Sequence, residues 1–136
     1  VGVPGGAYIG CDAGPALGPG ETVAVETCYS CGDLPFTPNC GDPGGGGNVA
    51  WFETVGDGTT YTAAVCATGF TPGMRVYRGN CATMHCVADA PADACGAGVT
   101  WCTHPGIEYH IVMYGNGPVT CGAVEVSLAS DGTPCP

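Results

Sequence analysis

The residue types able to do chemistry are few, and their spacing narrows them further. Eleven cysteines stand at Cys11, Cys28, Cys31, Cys40, Cys66, Cys81, Cys86, Cys95, Cys102, Cys121 and Cys135. Cysteines at this density serve as disulfides in an oxidising compartment or as zinc thiolates in a reducing one. Zinc sites favour repeated Cys-x-x-Cys knuckles, and only Cys28 and Cys31 have that spacing. Disulfides are the expected use, with Cys81–Cys86 and Cys95–Cys102 as the local pairs, on an extracellular or cell-surface protein. Eleven is odd, so at least one cysteine cannot pair within the chain.

Catalytic constellations are sparse. The serines are Ser30, Ser127 and Ser130, and none sits in a Gly-x-Ser-x-Gly elbow. There is no lysine, hence no Gly-x-x-x-x-Gly-Lys phosphate loop. Glu108 and His110 alternate onto one strand face and offer the chemistry of a general-base pair or half a metal site. Two such polar groups are expected on the solvent side of a strand. Calcium wants six to eight oxygens from closely spaced ligands. Asp89 and Asp93 share one stretch and are the calcium candidates, but no Asp-x-Asp-x-Asp ladder surrounds them. Neither a catalytic residue nor a cofactor is expected. Trp51, Phe52, Tyr77, Trp101 and Tyr114 are candidate stacking rings for surface carbohydrate.

Twelve acidic residues face only Arg75 and Arg78, for a formal net charge of −10. Such a chain repels phosphate backbones, which argues against a nucleic-acid partner. The longest apolar run, 107–114, is interrupted by Glu108 and His110 and is too short to insert in a membrane. No basic-then-apolar leader precedes it at Val1, so a secreted form is expected to have lost its signal peptide already.

The elements that must position these residues are strands. With 25 Gly and 12 Pro spread along the chain, long helices are disfavoured. Alternation marks strands around Val23–Val25, Asn48–Val55, Thr60–Val65, Met74–Tyr77, Ile107–Tyr114 and Val124–Ala129. Trp51 and Phe52 place one ring on each face. Gly56-Asp57-Gly58 has hairpin length, and Thr71-Pro72-Gly73, Gly115-Asn116-Gly117-Pro118 and Asp131-Gly132-Thr133-Pro134 read as turns. The stretches 28–47 and 87–98 read as irregular. The expected fold is all-β: an antiparallel, jelly-roll-like β-sandwich, disulfide-rich, in one domain over 1–136. Its expected core is Trp51, Tyr61, Val65, Val76, Tyr109, Ile111, Val124 and Val126.

From Cys40 onward the motifs follow a familiar order. Gly47-Asn48-Val49-Ala50-Trp51-Phe52 leads to Thr60-Tyr61-Thr62-Ala63-Ala64-Val65-Cys66, then Val76-Tyr77-Arg78-Gly79-Asn80-Cys81 and Met84-His85-Cys86-Val87. Asp93-Ala94-Cys95-Gly96, Val99-Thr100-Trp101-Cys102 and Gly106-Ile107-Glu108-Tyr109-His110-Ile111 come next. This order resembles the pre-peptidase C-terminal-like domains of secreted bacterial proteins. The resemblance implies a jelly-roll-like sandwich without intrinsic catalysis, serving as an accessory, adhesive or surface module. Pro72-Gly73 and Asp89-Ala90-Pro91-Ala92-Asp93 depart from the family's acidic positions, which thins any inherited metal site.

Two functions compete. In the first, the apolar, uncharged arm Val1–Gly10 adds to the sheet of another copy, and the chain is the self-assembling subunit of a filament or surface layer. In the second, it is a carbohydrate- or surface-binding accessory module of a secreted enzyme. In neither is it an enzyme.

Overall fold

Alternating apolar residues become strands through most of the residues that the computed structural model describes, which are 14–29, 49–90, 95–116 and 121–135. The strands are β1 (Thr22–Glu26), β2 (Val49–Val55), β3 (Thr59–Ala67), β4 (Thr71–Arg78), β5 (His85–Ala90), β6 (Cys95–Cys102), β7 (Glu108–Asn116) and β8 (Ala123–Pro134). They form two four-stranded antiparallel sheets, β1-β8-β3-β6 and β2-β7-β4-β5. The expected antiparallel sandwich is the fold. A single 3-10 turn, Thr27–Tyr29, follows β1. Among the described residues no helix is long and apolar enough to cross a membrane.

The core between the sheets is filled by the inward half of each alternation. Phe52, Met74, Val76, Tyr109, Ile111 and Met113 meet Tyr61, Val65, Trp101, Val124, Val126 and Leu128. Trp101 is its hub, with ring centroids 5.8 Å from Tyr61 and 5.9 Å from Tyr109. Seven of the eight expected core residues pack here, and the eighth, Trp51, is buried on the opposite face of β2.

Five local expectations are corrected. Gly56-Asp57-Gly58 does not close a hairpin, because β2 and β3 lie in different sheets and the turn carries the chain between them. Asp57 shapes it, its carboxylate accepting from the Thr59 N–H at 2.9 Å and from the Thr59 hydroxyl at 2.5 Å. Thr71-Pro72-Gly73 belongs to β4. Proline is tolerated there because β5 pairs with β4 only over Met74–Arg78, leaving Pro72 where the strand has one neighbour. The stretch 87–98 supplies β5 and the start of β6, Gly115 and Asn116 end β7, and Asp131–Pro134 stay within β8. In β8 a register shift opposite Thr59–Tyr61 absorbs the turn-forming residues.

Disulfides staple the ends of these strands. Cys28 joins Cys121 with Cα atoms 4.8 Å apart, and Cys102 joins Cys135 at 5.7 Å. Cys66, Cys81 and Cys86 are also disulfide-bonded, so at least seven of the eleven cysteines are oxidised. The expected Cys95–Cys102 pair is wrong. Those residues are the two ends of β6, and eight extended residues span more than about 20 Å. A disulfide needs Cα atoms within about 7 Å. Cys11, Cys31, Cys40, Asp93 and the arm Val1–Gly10 lie outside the described residues.

Tyr61 makes the core sensitive to alkali. Burial raises its phenol above the ordinary value of 10.0, and the charge of Asp57 adds to the effect. Its hydroxyl donates to the Val55 carbonyl at 3.0 Å. A raised folded pKa gives stability that is fully present below the unfolded value and lost as pH rises through the folded one. Thermal melts should therefore fall above about pH 10, and the fall should flatten in Tyr61→Phe. Equal slopes in the two proteins would assign the alkaline loss elsewhere.

Candidate functional site

The candidate site is the outer face of the β2-β7-β4-β5 sheet, the side turned away from the core. The pleat of the central strand β7 sends Glu108, His110, Val112 and Tyr114 to this face. Register then sets their neighbours in rows across the sheet. His110 lies between Glu53 and Tyr77, Val112 between Trp51 and Arg75, and Tyr114 between Val49 and Gly73. Sequence alternation pairs Glu108 with His110 correctly but places them towards solvent. Instead, His110 is only 1% exposed, and Arg75 3%.

Most of the face is a second apolar cluster of Val49, Trp51, Tyr77, Met84, Val112 and Tyr114. Trp51 stacks on Tyr77 with centroids 6.2 Å apart. The Arg75 guanidinium sits 5.2 Å over the Tyr114 ring, and its Nη1 donates to the Tyr77 hydroxyl at 3.4 Å. A buried cation held against ring faces in this way keeps its charge at lower cost than among aliphatic groups. The Tyr114 ring fits only because residue 73 lacks a side chain, since a Cβ there would lie 2.4 Å from its Cζ. Gly73→Ala should therefore cost about 1–3 kcal/mol in urea unfolding. A neutral result would mean that Tyr114 can swing away freely.

At the end of this face stand two carboxylates and one imidazole. Glu108 Oε2 lies 2.5 Å from His110 Nε2, and the Glu108 side chain is 44% exposed. The ligand atoms of Glu53, Glu108 and His110 all lie within 4.8 Å of one another. Among the described residues, His110 Nδ1 has no hydrogen-bond partner. Glu53 is held from both sides. Its backbone pairs with β7, while its N–H donates to the Pro15 carbonyl at 3.0 Å and its carbonyl accepts from the Leu17 N–H at 2.8 Å. Gly14 lets that segment approach, because a Cβ there would be 2.8 Å from the Trp51 backbone. A cleft of about 440 Å³ lined by Leu17, Pro19, Glu53, Val55 and Glu108 opens onto the carboxylates.

This arrangement can exchange a proton between imidazole and carboxylate, or gather a cation. Among the described residues, no nucleophile stands beside it. The Cys81 sulfur, 3.9 Å from His110 Nε2, is in a disulfide and is no thiolate. Ser127 and Ser130 belong to β8 in the other sheet. The five candidate stacking rings are all buried, Trp51, Phe52 and Trp101 no less than Tyr77 and Tyr114, so none is an exposed platform. Trp51, Phe52, Tyr77 and Tyr114 fall on strands whose two faces are both covered, a state that alternation alone does not distinguish from half-burial, whereas Trp101 takes the inward face of β6 with Thr100 exposed on the other. Asp89, placed in a loop by its sequence context, lies in β5 opposite Arg75. Sequence reasoning missed Glu53, which meets His110 only through the pairing of β2 with a strand more than fifty residues on.

The same two-sheet arrangement recurs in the pre-peptidase C-terminal domain of collagenase from Bacillus anthracis, with a TM-score of 0.54 over 84% of this chain and 93% of that one. The fold is that of a pre-peptidase C-terminal domain. Sequence identity to it is 16%, so the likeness is one of architecture. The module CsCBM6-3 from Clostridium stercorarium, solved with cellobiose, aligns over 88% of this chain and 79% of its own at 15% identity and a TM-score of 0.41. A second family 6 carbohydrate-binding module aligns over 89% and 96% at 14% identity, also at 0.41. No protein-family model and no curated protein matches the sequence.

Proposed function

We propose that this chain is a non-catalytic, extracellular accessory module that serves a secreted protein by holding it to a surface or polymer. The observation that carries this reading is the fold shared with the collagenase domain over most of both chains. The oxidised cysteines agree with an extracellular location, because a reducing cytosol would not maintain them. The one Glu–His pair on the candidate face stands beside a disulfide instead of a nucleophile, which agrees with a module that binds rather than turns over substrate.

With the aromatic rings buried, contact with a partner falls to the polar loops and the acidic cleft, not to ring stacking. The edge of β2 is already partly occupied by the chain's own residues 15–17, which removes one site for strand exchange between copies. The purified chain should be monomeric by light scattering. It should sediment with an insoluble polysaccharide or protein fibre without degrading it. Filaments of the isolated chain would overturn this reading in favour of self-assembly. Turnover that disappears in His110→Gln would overturn it in favour of an enzyme.

A further inference from the structure

We infer that Glu53, Glu108 and His110 bind one divalent transition-metal ion of the zinc type. The inference goes beyond the accessory-module reading and does not depend on it.

Three features of the cluster carry it. The first is the donor geometry. A Glu-x-His pair on one strand and a glutamate opposite the histidine on the next form a three-point set, with all donor atoms within 4.8 Å of one another. Ligands bonded at about 2.0–2.2 Å to one ion stand at most about 4.4 Å apart, so only a small closing of these side chains brings all three onto a single ion. The second is burial. His110 is enclosed, with Nε2 turned to the carboxylates and Nδ1 unpartnered among the described residues. The imidazole is thus committed to this cluster. The third is charge. The chain has two arginines and no lysine for twelve acidic residues, and no Lys or Arg ion pair is made to Glu53 or Glu108 among the described residues. One of those arginines, Arg75, is held over Tyr114. A divalent ion entering through the cleft beside Leu17 and Pro19 would neutralise both carboxylates.

The donor types choose the ion. Calcium and magnesium take oxygen ligands, whereas imidazole suits zinc and its neighbours in the first transition row. Three protein ligands leave a coordination position open towards the cleft for water or a ligand group from a partner.

The experiment uses the full oxidised chain with free thiols blocked by iodoacetamide, so that unpaired cysteine cannot bind the probe. Cobalt(II) is titrated by visible absorption and zinc(II) by calorimetry. One ion per chain is expected, with cobalt displaced by zinc and not by an equal concentration of calcium. Glu53→Gln and Glu108→Gln should each weaken binding by about tenfold or more while leaving the melting curve cooperative. The double variant His85→Gln/His104→Gln, which changes the exposed histidines, should bind as the parent does. The inference is overturned by absence of binding, by unchanged affinity in both glutamine variants, by loss in the His85/His104 variant, or by displacement by calcium. Should both glutamine variants unfold, protection of the His110 ring signals by zinc in the NMR spectrum of the parent decides the matter. Unshifted His110 signals would sink the site.

Discussion

Replacing Cys28 and Cys121 together by serine should lower unfolding stability by about 4–5 kcal/mol in a urea titration. The bond joins residues 93 apart in sequence, and the segment it closes contains β2 to β7 entire. In the chain-entropy account a crosslink restricts the unfolded ensemble more as the loop it closes lengthens. Cys102–Cys135 closes a separation of only 33, so its removal should cost about 1 kcal/mol less. Both cysteines must be changed at once, because a single serine would leave a thiol free to attack the other disulfides. The ordering of the two double variants is the sharper check. A larger loss from Cys102/Cys135 would show that native packing at β6, not loop closure, sets the value of these bonds.

The sheets were legible in the sequence where one face of a strand is polar. Val124, Val126 and Leu128 of β8 alternate with Glu125 and Ser127, and the structure buries the first set between the sheets. Legibility failed where neither face meets water. In β7 the two alternating sets are Tyr109, Ile111 and Met113 against His110, Val112 and Tyr114, and every one of them is buried. Period-2 patterning says that two faces differ, and it cannot say that both are covered. It failed again at β5 and β6, whose Ala, Gly and Cys residues carry weak strand preference and are held by pairing with β4 and β3. Among the turn signals, Thr71–Gly73 and Asp131–Pro134 lie within strands, and Gly56–Gly58 marks a direction change without saying which sheet comes next. Gly56–Gly58 links opposite sheets with the composition of a hairpin. The candidate site was half legible for the same reason. Glu108 and His110 sit two apart on one strand, a local fact, whereas Glu53 arrives through the long-range register of β2 on β7.

Trp51→Ala tests the outer face directly and should cost about 3–5 kcal/mol, the range for emptying the space of a buried aromatic side chain. Trp51 is 2% exposed, stacked on Tyr77 and beside Val112, whose other neighbour is the buried Arg75. Removing the indole also strips apolar cover from the face on which Arg75 is buried. Trp51→Phe keeps a ring on Tyr77 and should lose markedly less. A surface stacking ring would behave in the opposite way, with stability changed by no more than about 0.5 kcal/mol and the loss confined to ligand retention. Urea unfolding followed by far-UV circular dichroism separates the two cases without depending on the lost tryptophan's fluorescence. The substitution also reaches the acidic end of the face. Glu53 follows Trp51 by one alternation on β2, and the Gly14 approach that lets residues 15–17 grip Glu53 is made against the Trp51 backbone. If the face is one packed unit, cobalt affinity should fall in Trp51→Ala and recover in Trp51→Phe. If stability falls while cobalt affinity is untouched, the aromatic cluster and the carboxylate–imidazole cluster are independent.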